Sequence, residues 1–227
     1  MFRPALLILL LAPLVSASCR ATRSGVRYLA LGDSYTCGQS VEQQDSFPFQ
    51  LLRAAQSKGI DMADPQVVAE TGWTTRNLIM GLNQAKLEGS RFDLVTLAIG
   101  VNNQFNGMSL VEYGRQFEML LDSAVALAGG RPSRVIVLSI PDWGVTPYAA
   151  KSGRDLKSVA PQINAFNAKA QAICAAKKVA FVDVTGISRQ AASDPSLITT
   201  DGLHPSGKQY ALWVQALLPK VLTALGR

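Results

Sequence analysis

The sequence predicts an α/β protein built on a central parallel sheet. Three observations carry that prediction. Five apolar, β-branched runs alternate along the chain with longer segments of helical period, the pattern of repeated strand–crossover–strand units. Several of the runs are continuously apolar, as strands covered on both faces are. Each run is also followed by a loop offering a glycine and a polar group, at the edge where open α/β sheets bind their ligands.

Taken in order, the first strand is expected over 26–31, where Val, Tyr and Leu lead into Gly32. A helical segment follows over 47–58, then a strand over 66–70 rich in valine. The period over 74–85 predicts a second helix, and the run 94–99 a third strand. A long amphipathic segment over 110–128 precedes a fourth strand over 134–140. The segment 155–177 has apolar residues at helical spacing, with Pro161 placed near an internal start. A fifth strand is expected over 180–184 and a closing helix over 206–222, with Ser206 as its N-cap. Right-handed crossovers would then lay helices on both faces.

The 227 residues are 48% hydrophobic and contain no linker-like tract, so a single domain over 18–227 is expected. Residues 1–17 read as a secretory signal peptide. Arg3 supplies the positive end, 5–14 the short apolar stretch, and Val15-Ser16-Ala17 the small-residue cleavage site. The stretch is too short to span a bilayer, and no other segment has the length and apolarity for a membrane span. Export to a periplasmic or extracellular location follows. Lipid anchoring at Cys19 is a second reading, although Ser16 stands where lipoprotein sites usually carry leucine.

The net charge is +6, but the lysines and arginines are scattered, which argues against the clustered patch that nucleic-acid binding needs. Three cysteines make no disulfide framework. One histidine and no Cys/His spacing leave no case for a zinc site.

The loops after the strands carry the chemistry. They read Gly32-Asp33-Ser34-Tyr35-Thr36-Cys37-Gly38, Thr71-Gly72-Trp73, Gly100-Val101-Asn102-Asn103, Pro141-Asp142-Trp143-Gly144 and, across a longer loop after the fifth strand, Asp201-Gly202-Leu203-His204. A serine hydroxyl is a weak nucleophile and needs a base within reach, and the base needs a partner that sets its tautomer. His204 is the only histidine, so a serine–histidine mechanism has to use it, and Asp201 lies three residues before it. Donors for an oxyanion are available from the backbone N–H groups of Ser34 and Gly72 and from the Asn102 amide.

These blocks resemble the SGNH hydrolases, also called the GDSL esterase/lipase family. They occur in the family's order, Gly32-Asp33-Ser34, then Gly72, then Gly100-x-Asn102, then Asp201-x-x-His204, and span the chain from Tyr28 to Pro205. The resemblance implies a flavodoxin-like three-layer α/β/α fold with strand order 2-1-3-4-5. It implies Ser34 as nucleophile, His204 as base and Asp201 as the acid that orients it. Ser34 N–H, Gly72 N–H and the Asn102 side chain would form the oxyanion hole, with no metal or organic cofactor. The chain departs from the family pattern at Tyr35, where the family name records leucine, and at Asn103, where aspartate is commonest. The expected substrates are short- or medium-chain acyl esters of lysophospholipase/lipase or general esterase type, favoured by the short, mixed loops, with acetylated carbohydrate as the alternative.

Plainer roles stand beside these. Ser34 could cap a helix, and Asp33 reads as a carboxylate that fixes its loop through nearby N–H groups. Trp73 and Trp143, in loops at the same edge, have two roles open to them: lining a substrate pocket or covering the core. The same holds for Phe105 beside Asn102. A non-catalytic small-ligand binder would not need the Asp201/His204 pair, and no phosphate-binding glycine motif is present. An ordinary α/β-hydrolase would need Gly-x-Ser-x-Gly on a later strand, but position 36 is threonine.

Overall fold

A computed structural model describes residues 25–227. The signal peptide expected over 1–17 and the lipidation candidate Cys19 lie outside the described residues.

The five expected strands form one parallel sheet. They are β1 (Tyr28–Gly32), β2 (Gln66–Ala69), β3 (Leu94–Ala98), β4 (Val135–Leu138) and β5 (Ala180–Val182), in the order β2-β1-β3-β4-β5. Every pairing is parallel. The three central strands β1, β3 and β4 are buried at every residue, which explains why they read as unbroken apolar runs. Edge strand β2 is exposed or half-buried at three of its four positions.

Two helical layers cover the sheet. One contains α2 (Phe47–Gln56) packed along α9 (Gly207–Ala224). The other contains α3 (Thr75–Gln84), α5 (Leu110–Leu127) and α7 (Leu156–Ala176). Capping is encoded where the sequence suggests it. Ser206 accepts from Gln209 N at the head of α9, and Thr74 and Asn77 form a reciprocal capping box at α3. Asp155 accepts from Lys157 N at the start of α7.

One expectation is corrected here. Pro161 does not mark a helix start; α7 begins at Leu156 and runs through it. At that position the carbonyl deprived of its partner lies in the exposed first turn, where the loss is small. Short helices also follow the strands where periodicity is unreadable: α1 (Ser34–Cys37), α4 (Val101–Phe105), α6 (Pro147–Lys151) and α8 (Thr185–Arg189).

Register brings the functional loops together. Gly32 pairs with Ala69 on one side and Ala98 on the other, so the loops after β1, β2 and β3 leave the sheet at one level. Gly32 is required there. A Cβ would run into Thr36 Oγ1 and come within 2.5 Å of the Ala98 carbonyl oxygen.

Candidate active site

The loop after β1 presents Ser34 as the first residue of one-turn α1. Asp33 is the N-cap, in extended conformation, and its Oδ1 accepts from Tyr35 N at 3.0 Å. Capping thus falls to Asp33. The Ser34 N–H stands at the helix start, where intrahelical geometry offers no carbonyl to receive it. Gly38 closes α1 in the left-handed region, φ +79°.

Burial pushes the Asp33 carboxyl up to about 7, against the opposing effect of the Tyr35 N–H. An unfolded aspartate releases its proton near pH 4. Between about pH 4 and 7 the folded state therefore holds more protons than the unfolded one, and this group costs stability progressively as pH rises. We predict that Asp33→Asn, which keeps an acceptor for Tyr35 N, is more stable than wild type at pH 8, with the advantage shrinking toward pH 4. Urea unfolding at the two pH values checks this; an advantage independent of pH would contradict it.

Asp201 and His204 come from a tight loop before α9. Ile198 bridges Pro205, Thr199 N donates to the His204 carbonyl at 2.9 Å, and Gly202 turns the chain at φ +75°. Asp201 Oδ2 lies 2.7 Å from His204 Nδ1. Its Oδ1 accepts from Thr199 Oγ1 at 2.7 Å, Leu203 N at 2.8 Å and His204 N at 3.0 Å. Ser40 Oγ donates to Oδ2 at 2.7 Å. Partial burial alone would raise the Asp201 carboxyl. Donation from Ser40, the His204 N–H, Thr199 and the Leu203 N–H outweighs burial and holds it well below the usual carboxylate range.

The loops after β2 and β3 are clamped to each other by two asparagines. Asn102 Nδ2 donates to the Trp73 carbonyl at 2.9 Å, which fixes the amide and leaves its second hydrogen for another acceptor. Asn103 is fully buried; its Oδ1 accepts from Thr75 N at 3.0 Å and its Nδ2 donates to Thr75 Oγ1 at 2.7 Å. The Asn103 departure from the family pattern is thus part of the loop's framework. Gly72 adopts φ +82°, and a Cβ there would meet nothing within 4 Å. Its glycine is explained by backbone conformation, not by a lack of room.

Ser34, Gly72, Asn102 and His204 line one cavity of about 150 Å3. Tyr35, Thr71, Val101, Phe105, Trp143, Tyr148 and Leu203 complete its wall. Among the described residues, Ser34 Oγ makes no hydrogen bond to His204. Such contacts are often long before substrate binds and tighten in the complex. Two wider grooves, of about 580 and 490 Å3, open elsewhere and contain none of these residues. The chemistry, not the volume, marks the smaller one. Among the described residues no group of three or more His, Cys, Asp or Glu could hold a metal ion, and no helix is long and apolar enough to cross a membrane.

The aromatic residues divide. Trp143 is buried on the cavity wall, its Nε1 donating to Gln104 Oε1 at 2.8 Å and its ring edge-on to Phe105 at 5.1 Å. Arg154 lies over Phe105, 4.0 Å from the ring centroid. Trp73 is outside the cavity wall, and its ring covers Gly81 of α3, where a Cβ would collide with it. Three neighbours escaped the sequence reading. Tyr35 packs against the imidazole of His204 with centroids 5.2 Å apart and stacks on Trp213 behind it. Tyr148 reaches the wall from α6, tied to the acid loop by its N–H on the Gly202 carbonyl at 2.8 Å. Leu203 could have been found, since it lies between Asp201 and His204; nothing in the sequence pointed to Tyr148.

The profile of the GDSL-like lipase/acylhydrolase family matches residues 30–212. No curated protein sequence matches the chain. Among solved structures, TesA is similar at a TM-score of 0.69 and 18% identity, over 88% of this chain and 99% of that one. The psychrotrophic esterase EstA from Pseudoalteromonas sp. is similar at 0.67 and 16%, over 88% of this chain and 99% of its own. A catalytic mutant of Axe2, an acetylxylan esterase from Geobacillus stearothermophilus, is similar at 0.65 and 19%, over 87% and 94%. At these identities the structural likenesses speak to the fold, while the family match covers most of the chain. The chain belongs to the GDSL-like lipase/acylhydrolase family, the SGNH hydrolases, and is a serine ester hydrolase.

Proposed function

We propose that the protein hydrolyses carboxylic esters of short acyl groups through an acyl-enzyme on Ser34. The observation that carries this reading is the cavity in which Ser34, Gly72, Asn102 and His204 meet, with the far side of the imidazole held by Asp201. In the proposed reaction His204 Nε2 takes the hydroxyl proton as Ser34 Oγ attacks the ester carbonyl carbon. The oxyanion accepts from Ser34 N–H, Gly72 N–H and the Asn102 amide. Collapse breaks the bond to the alcohol, which leaves with the proton from His204. Water then attacks the acyl carbon, gives its proton to the same imidazole, and releases the acid and free Ser34.

Size favours the short end of the acyl range. A cavity of about 150 Å3 is well below the roughly 300–1,000 Å3 that accepts drug-sized ligands, and Phe105, Trp143 and Leu203 line it with apolar surface. We predict that kcat/KM on p-nitrophenyl esters is highest from acetate to butyrate and falls by about tenfold or more by octanoate. A panel from acetate to palmitate, with Ser34→Ala as control, checks this; a preference for palmitate would contradict it.

One observation favours acetylated carbohydrate as a second reading. On the other side of Trp143 a groove of about 250 Å3 carries the polar side chains of Gln104, Arg154, Asp155, Ser158 and Gln162 beside Trp143 and Val159, suited to a hydroxylated leaving group. The structural likeness to Axe2, an acetylxylan esterase, agrees with it. Acetylated xylan in the same panel separates the two readings. Export directed by residues 1–17, with Cys19 lipidation as its variant, is part of this proposal and is read from the sequence alone.

A further inference from the structure

We propose that Ser40 is a positioning residue for the ester-hydrolase reaction, its hydroxyl sharing Asp201 Oδ2 with the imidazole N–H of His204. The inference rests on the reading of Ser34, His204 and Asp201 given above. The two donors arrive at the same oxygen, each at 2.7 Å, from opposite ends of the chain.

The backbone supports a role beyond a surface contact. Ser40 is a non-glycine residue at φ +66°, a conformation that disfavours a side chain. The other non-glycine residues in this region among those described, Lys86 and Lys178, are exposed lysines. Only Ser40 of the three is hydrogen-bonded to the candidate site. The residue before it is fixed by two bonds. Gln39 N donates to the Ser34 carbonyl at 3.0 Å, and Gln39 Oε1 accepts from Thr71 Oγ1 at 2.6 Å. The segment leaving the nucleophile's helix therefore touches the loop beside Gly72 and, one residue later, Asp201 in the loop before α9.

Sharing an acceptor has a direct chemical effect. A carboxylate oxygen that already accepts from a hydroxyl has less negative charge to offer an imidazolium. Ser40 thus fixes the rotamer of Asp201 while limiting how strongly it holds His204 in the protonated form. Other groups face the pair from several elements. Tyr35 packs on the imidazole from α1, with Asp33 and Asp142 in the loops behind it. Tyr210 approaches from α9, Tyr148 from α6, and Thr199 donates from the acid's own loop. Among the described residues no lysine or arginine is ion-paired to Asp201.

The test is the pH profile of kcat/KM on p-nitrophenyl acetate for wild type, Ser40→Ala and Ser40→Gly, with melting temperatures. Both variants remove the hydroxyl, but glycine also relieves the backbone, so it should melt no lower than the alanine variant. In both, the acidic limb is expected to move to higher pH by about half a unit, with kcat several-fold lower and KM unchanged. A wild-type limb in both variants, or a displaced limb in Ser40→Ala alone, would overturn the proposal. Ser34→Ala in the same assay separates the two levels. If it keeps turnover, the reading of Ser34 fails and the role of Ser40 goes with it. If it loses turnover while the Ser40 variants keep the wild-type limb, only the role of Ser40 is lost.

Discussion

Ser34→Ala is expected to lower kcat by roughly 10⁵–10⁶-fold while leaving the fold in place. In the proposed mechanism the hydroxyl forms the covalent bond to the acyl group; of its neighbours on the cavity wall, Thr71 donates its hydroxyl to Gln39 and Tyr35 is buried with its phenol held far above its ordinary range by burial. The alanine variant keeps what the serine gives the structure, since the cap of α1 is the Asp33 carboxylate and the backbone N–H remains. A residual rate above water is expected from the Gly72 and Asn102 donors alone. His204→Ala should fall to a similar level, and the double variant no further, because in the proposed mechanism nucleophile and base act as one unit. Steady-state kinetics with circular dichroism of each variant checks both parts. Losses that multiply in the double variant would contradict the shared step.

The second large effect is expected at Asp201→Asn, a fall in kcat of about 10⁴-fold together with a loss of stability. Every neighbour of this carboxylate donates to it: His204 Nδ1, Ser40 Oγ, Thr199 Oγ1, and the N–H groups of Leu203 and His204. Asparagine has one accepting atom and one donating group. If its oxygen keeps the loop donors on the Oδ1 side, its amide faces Ser40 and the imidazole. The imidazole then accepts at Nδ1 and has its proton on Nε2, the wrong tautomer for a base directed at Ser34. If the amide flips, two backbone N–H groups and Thr199 lose their acceptor, at about 0.5–1.5 kcal/mol each, the net worth of a hydrogen bond that water can partly replace. Tm and kcat measured together test this. A variant with full activity would show that Asp201 does not set the imidazole's state.

How much of this was legible in the sequence depends on the length scale of each interaction. The sheet was legible because β1, β3 and β4 are buried on both faces and so had to be continuously apolar. Ser34 was singled out because Gly32 marks the end of the strand before it, and Asp201 and His204 because a turn at Gly202 lies between them and His204 is the only histidine in the sequence. One-turn helices such as α1 and α4 were not readable, being too short to show a period. The roles of Ser40 and Tyr148 were hidden for a different reason. Each meets the acid loop across a long stretch of chain, and register, not local pattern, brings them there. Trp73 and Trp143 looked alike as loop tryptophans. They separated only when Gly81 offered one of them a flat bed on α3 and Gln104 offered the other an acceptor inside the wall.

The central claim is that Ser34 is the atom acylated, and a covalent probe tests it without any choice of substrate. A fluorophosphonate reacts with an activated serine hydroxyl, and peptide mapping by mass spectrometry locates the adduct. The predicted result is a single adduct on the peptide carrying Ser34, formed more slowly as the pH falls and absent from Ser34→Ala. An adduct on another serine, or equal labelling of Ser34→Ala and wild type, would contradict the account.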